Sequence, residues 1–236
     1  MRKSKTIGFS LALVATSGLF ILLEGWTKWE FFWHLAAIPL EILIAVFIVE
    51  QLLEHREMQA KREQLMYIKS FMFRSQMRDL FIANFAALKC PALTMKQIRR
   101  ASLAELREMR RQADAIEYRS LEALEPIIDE YVKAEPVWHS FKERAITYNF
   151  ENIFLNMMGI LHFIYDVRSF KAKHPQAKFV HEAAKKEEAM KKVWKIVTDG
   201  IRLFLDYAIE LKEKQPVIFD EMMADYELSI RLRESA

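Results

Sequence analysis

The chain has one cysteine, five glycines and six prolines in 236 residues. A single thiol excludes an internal disulfide framework. So little glycine and proline excludes collagen-like, Gly/Ser-linker and Pro-rich disordered classes. No Walker loop, dinucleotide fingerprint, HExxH, nucleophile elbow or paired CxxC occurs. The scattered glycines supply no phosphate-cradling loop, and no Glu stands three residues before a His, as a di-iron helical bundle requires. Sustained two-residue alternation rich in β-branched side chains is also missing, so strands are not expected. No cofactor is expected on these grounds, and the absent motifs weigh against an enzyme.

Lipid-like character is present in quantity, and it is concentrated at one end. Residues 7–23, IGFSLALVATSGLFILL, carry no charge. As a helix they span roughly 26 Å, the short end of what crosses a bilayer. Residues 31–53, FFWHLAAIPLEILIAVFIVEQLL, are long enough to cross with tilt. The short link EGWTKWE between them predicts a transmembrane helical hairpin. Arg2, Lys3 and Lys5 precede the first run, and Arg56, Lys61 and Arg62 follow the second; the link has only Lys28. This bias places both termini in the cytoplasm, and Trp26, Trp29, Phe31, Phe32 and Trp33 form an aromatic belt on the far interface, where His34 also falls. The expectation is an integral membrane protein, of the inner membrane in a bacterium. The competing reading is a cleaved signal peptide over residues 1–23, for which MRKSK is a fair n-region but no small-residue cleavage site follows.

Two features of these runs call for explanation. Glu41 falls near the bilayer midplane, where a charge costs at least ~2.5 kcal/mol on insertion scales. It is either an ion or proton site, or a hydrogen-bond partner of Ser10, Thr16 or Ser17 on the first run, and Pro39 beside it can kink the helix. Gly8, Ala12 and Thr16 recur every four residues and give the first span a face for close contact with its neighbour or with another subunit.

From residue 54 onward the chain reads as helix almost throughout. The second span is expected to continue as a membrane-exit helix over 54–90, carrying Leu65, Ile68, Met72, Met77, Leu80, Phe81, Phe85 and Leu88 as its apolar stripe and ending at Pro91. Thr94…Gln97 and Ser102…Glu105 are capping-box signatures that start new helices. Further helices are expected over 102–115, 120–134, 137–171, 176–214 and 217–232, with Asn149 and Gly200 as interruptions. Residues 91–236 then form a cytoplasmic helical bundle. Residues 150–167 are apolar nearly all round, but Glu151, Asn152, Asn156, His162 and Asp166 interrupt them; they are expected to be the central helix rather than a third span. The fold class is all-α.

Charge is uneven. Residues 55–111 hold 13 Lys/Arg against 5 Asp/Glu, a balance of +8, and residues 112–236 hold 18 against 22, a balance of −4. Anionic headgroups attract basic segments next to a membrane. Arg56, Lys61, Arg62, Lys96, Arg100, Arg107 and Arg111 are therefore the candidates for binding headgroups or a partner, with Arg100, Arg107 and Arg111 expected on one helical face. An overall +3 without a recognised binding module does not point to nucleic acid. His139 with Glu143, and His162 with Asp166, are four apart and would give a metal site if their faces converged. Cys90-Pro91 is a weak haem-thiolate signal. The function expected is a non-catalytic membrane scaffold or sensor whose helical domain binds a cytoplasmic protein, with the bilayer and further copies of the chain as its other partners. An oligomeric ion channel using Glu41 and a membrane-tethered metalloprotein or enzyme using His139, Glu143, His162 and Asp166 are the alternatives.

Overall fold

A computed structural model describes residues 2–28, 31–147 and 151–235. Helix dominates it, as the sequence leads one to expect, and the chain forms two compact units, Met1–Leu65 and Met66–Ala236.

The first unit holds α1 (Arg2–Thr27) and most of α2 (Phe31–Phe71). The chain leaves α1 through Lys28 at φ 54°, a left-handed conformation that terminates a helix. The two helices meet at Ser17, whose hydroxyl donates to the Ala36 carbonyl at 2.5 Å. Ser17, Ala36 and Pro39 are the buried residues at this point, small enough for close approach. Trp29 and Glu30 of the proposed link lie outside the described residues.

The second unit opens with a change of helical winding. Residues Met72–Gln76 form a π turn, followed by α3 (Arg78–Ala86), so the long helix stops well short of Pro91. The widening takes the Met77 N–H to the Met72 carbonyl at 2.9 Å. The Phe73 carbonyl receives the buried Tyr226 hydroxyl instead, at 2.7 Å. An insertion of this kind needs an outside donor, because one carbonyl of the ladder loses its usual partner.

Residues 87–90, expected to be helical, instead contribute β1 (Leu88–Cys90), which pairs antiparallel with β2 (Glu117–Tyr118), Leu88 opposite Tyr118. This small ribbon corrects the expectation of no strand at all. Between its strands lie α4 (Met95–Arg100) and α5 (Leu103–Gln112). Both capping boxes form. Thr94 Oγ1 accepts from Gln97 N at 3.2 Å and Gln97 Oε1 from Thr94 N at 2.9 Å; Ser102 Oγ accepts from Glu105 N at 3.3 Å and Glu105 Oε2 from Ser102 N at 2.7 Å. A single 3₁₀ turn leads into α6 (Glu125–Lys133), with Pro126 in its first turn.

The remaining helices are α7 (Glu135–Thr147), α8 (Glu151–Lys173), α9 (Phe179–Ala183), α10 (Glu187–Lys214) and α11 (Pro216–Glu234). Asn149 and Phe150 lie outside the described residues. The central element is α10, not α8. Val193, Val197, Ile201, Phe204, Leu205, Ala208 and Leu211 of α10 are fully buried, and α3, α5, α9 and α11 pack around it. On α8 only one face is covered, by Met157, Phe163, Ile164 and Val167, while Leu155, Met158 and Tyr165 are exposed. Gly200 does not interrupt α10. It is buried because the Tyr131 hydroxyl and the Asn84 amide press against its Cα, at 2.6 Å and 3.0 Å from where a Cβ would stand. Around it is a satisfied polar cluster. Asn84 Nδ2 donates to the Val197 carbonyl (2.9 Å), the Tyr118 hydroxyl to Asn84 Oδ1 (2.9 Å), and the Tyr131 hydroxyl to the Ile196 carbonyl (3.1 Å). Burial pushes both tyrosines well above their ordinary value. The N-terminus of α9, which has no cap of its own, is capped by the buried Glu125 carboxylate, accepting from Phe179 N at 3.1 Å and Val180 N at 2.9 Å.

Candidate functional site

In the first unit, Glu41 is exposed on an otherwise apolar stretch of α2 and makes no hydrogen bond or ion pair among the described residues. Its proposed hydrogen-bond partners are engaged elsewhere: Thr16 Oγ1 donates to the Ala12 carbonyl at 2.9 Å, and Ser17 to Ala36. The side chain of Ser10 and the surroundings of Gly8 lie outside the described residues. Ala12 and Thr16 are exposed, so this part of the small-residue stripe is not the face through which α1 meets α2. Arg56 and Arg62 are exposed without an ion pair among the described residues, and Lys61 pairs with Glu57 at 2.8 Å.

The two His–carboxylate pairs do not assemble a metal centre. His139 stands 3.9 Å from Glu135 rather than bonding Glu143, and Lys142 approaches its ring. His162 lies 3.6 Å from Asp166, and Lys192 engages both, at 3.0 and 2.6 Å. A lysine ammonium in that position competes with any cation. Among the described residues no group of three or more His, Cys, Asp or Glu comes together as a metal site. Cys90 is exposed with a free thiol.

The basic residues of the second unit are split by the break at Ala101, which separates α4 from α5. Arg100 therefore does not share a helix face with Arg107 and Arg111. Those two are paired, Arg107 with Glu213 at 3.5 Å and Arg111 with Glu108. Lys96 and Arg100, both exposed on α4, have no hydrogen bond or ion pair among the described residues.

Those two unpaired cations, both exposed, line a half-open cavity of about 620 Å³ between α3, β1, the 91–94 loop, α4 and α11. Its apolar lining comes from Ile82, Phe85, Leu88, Leu93, Met95 and Ile230. Its charged lining comes from Lys96, Arg100, Arg119 and Arg231 on one side of the balance and Glu227 and Glu234 on the other. Glu227 is already committed to Arg99 at 2.6 Å, with Arg231 at 4.0 Å. Arg119 is held in place by its Nε donating to the Leu88 carbonyl at 3.2 Å. Volume, apolar walls and a few converging polar groups are the properties of small-ligand sites. Sequence reasoning singled out Lys96 and Arg100 but not the apolar lining beside them, which joins residues 82–95 to Ile230, far along the chain.

A half-buried cation lies at the start of this unit. Lys69 is half-buried, its ammonium 4.3 Å from the Tyr207 ring centre and 5.6 Å from that of Phe73. Burial lowers its pKa to about 8, against the opposing pull of Glu210 and Asp206.

No family model, curated protein or solved structure matches the chain.

Proposed function

We propose that this protein is a non-catalytic membrane scaffold or sensor, anchored by a hairpin of residues 7–23 and 31–53 with both termini cytoplasmic. The helical unit from Met66 onward receives a ligand or protein partner. The observation that carries the reading is the exposure of α2. Leu40, Ile44, Phe47, Val49, Leu52 and Leu53 all point outward, and only 12% of the most apolar window of this helix is buried. A core helix of a water-soluble protein has the opposite distribution, and monomers in water rarely leave so long an apolar surface uncovered. The outward-facing Ala12 and Thr16 support association between copies of α1.

The test uses the intact chain in cells. It is expected to stay in the membrane fraction through an alkaline carbonate wash and to keep its first 23 residues. Cys90, the one thiol and an exposed one, is expected to react with a membrane-impermeant maleimide only after the cells are opened. Release of the uncleaved chain by carbonate, or labelling in sealed cells, overturns the reading.

A second reading rests on Glu41, a carboxylate on an outward apolar face without a described partner. Several copies around an axis would bring these carboxylates into a ring lining a pore. Currents through purified protein in planar bilayers that change selectivity in Glu41→Gln support it. Silence of both proteins at all voltages removes it.

A further inference from the structure

We infer that the cavity between α3, β1, α4 and α11 binds a single-chain amphiphile with an anionic head, the chain lying on the Ile82–Phe85–Met95–Ile230 floor and the head at Lys96 and Arg100. This inference rests on the geometry of the second unit alone and stands apart from the anchoring of the first.

The composition of the walls selects the ligand. The floor is aliphatic and aromatic, with no side-chain donor or acceptor among Ile82, Phe85, Leu88, Leu93, Met95 and Ile230. A sugar or a nucleobase entering it would lose its hydration without recovering hydrogen bonds. An alkyl chain loses nothing, and about 620 Å³ is within the range of ~300–1,000 Å³ that encloses a small ligand. The mouth selects the head. Arg99 and Arg231 are turned to Glu227, whereas Lys96 and Arg100 on α4 make no ion pair among the described residues, although Glu234 lines the same cavity. Arg119, pinned through its Nε, keeps its terminal nitrogens for a further acceptor. Two unpaired cations beside the apolar part of the cavity match a carboxylate or phosphate on a chain.

The test is photolabelling of the full chain in phosphatidylcholine nanodiscs with a diazirine-bearing fatty acid, followed by peptide mapping. Saturable label is expected on the peptides spanning 82–96 and 227–234. Referred to their free aqueous concentration, unlabelled fatty acids are expected to compete more strongly by about fourfold per added methylene, the equivalent of ~0.8 kcal/mol. The fatty alcohol of equal length is expected to compete at least tenfold more weakly. A single-chain lysophosphatidate competing better than the carboxylate assigns the head to phosphate, and the reverse assigns it to carboxylate. Lys96→Glu with Arg100→Glu is expected to reduce cavity labelling tenfold or more. Ala92→Trp, which fills the cavity and removes no charge, is expected to abolish it, with thermal melting of both variants reporting that they fold. Label that does not saturate on these peptides, an alcohol as potent as the acid, or unchanged labelling in both variants overturns the inference. Because the competition series uses unaltered protein, it decides the matter even if a variant fails to fold. Label confined to 31–53 would overturn the cavity while leaving the membrane reading intact.

Discussion

The Tyr131 hydroxyl occupies the space that a side chain at residue 200 would need, 2.6 Å from the Cβ position of Gly200, while it donates to the Ile196 carbonyl one turn earlier. Glycine is therefore required here for approach rather than for backbone freedom, since the helix runs through it. Gly200→Ala is expected to destabilise the protein by ~1–3 kcal/mol, the cost of overpacking a filled core. Adding Tyr131→Phe is expected to restore part of the loss by removing the clashing oxygen. Gly159, exposed on α8 with nothing within 4 Å of its Cβ position, is the control: Gly159→Ala is expected to stabilise by ~0.5–1 kcal/mol. Urea melts of the full chain in mild detergent read all three.

The Tyr226 hydroxyl holds the π turn by satisfying the Phe73 carbonyl, which the altered winding deprives of Met77. Tyr226→Phe keeps the ring, packed 5.4 Å from Phe204, and removes only the donor. A buried carbonyl left unpaired costs ~1–3 kcal/mol. The effect is expected to be local, with hydrogen exchange faster in residues 72–86 than in α8. Uniform loss of protection over all helices would show that the bond serves global stability and not the turn.

The separation between what could be read from residues and what could not follows the range of the interactions. Both capping boxes were legible because Thr94, Gln97, Ser102 and Glu105 complete their bonds within four residues. The start of α11 was legible to within one residue, 217 against Pro216, whereas α6 begins at Glu125 and not at the expected 120. The break after Phe71 was not legible, because its apolar stripe continues unbroken and the donor that makes the π turn tolerable is Tyr226, far along the chain. The pairing of Leu88 with Tyr118 likewise depends on a partner about thirty residues away. Exchange of centrality between α8 and α10 has another cause: apolar content suggested 150–167, but the covered stripe on α10 repeats every three or four residues and meets four neighbouring helices. Of the candidate sites, Lys96 and Arg100 were visible as charges, but only packing shows which arginines are already spent on Glu227, Glu213 and Glu108.

Glu41 gives a prediction about insertion. Its carboxylate sits on the apolar part of α2, exposed and without a described partner, so an isolated 31–53 segment must carry it into lipid alone. Glu41→Leu is expected to favour insertion of that segment by about 3 kcal/mol on translocon scales. A glycosylation-reporter assay in microsomes measures it. If the full-length chain in native lipid loses an oligomer on the same substitution, the carboxylate faces a neighbouring copy; if only the insertion equilibrium moves, it serves no subunit contact.

Lys69 links stability to pH with a definite sign. Its pKa falls from 10.5 to about 8 in the folded chain, chiefly through burial, with Glu210 and Asp206 partly opposing. Below about pH 8 both folded and unfolded chains hold the proton. Between about 8 and 10.5 the unfolded chain still holds it while the folded chain has released it, so the unfolded state binds more protons and stability rises with pH across that interval. Thermal midpoints of the full chain are therefore expected to climb from pH 7.5 to 9.5, before the exposed lysines titrate. Lys69→Met keeps the apolar stem against Phe73 and Tyr207 and removes the titrating group. It is expected to flatten the climb and to raise the midpoint most at pH 7.5, where the wild-type ammonium has to be buried charged. Parallel pH profiles for the two proteins would mean that Lys69 stays solvated, and that its contact with the Tyr207 ring at 4.3 Å offsets whatever burial costs.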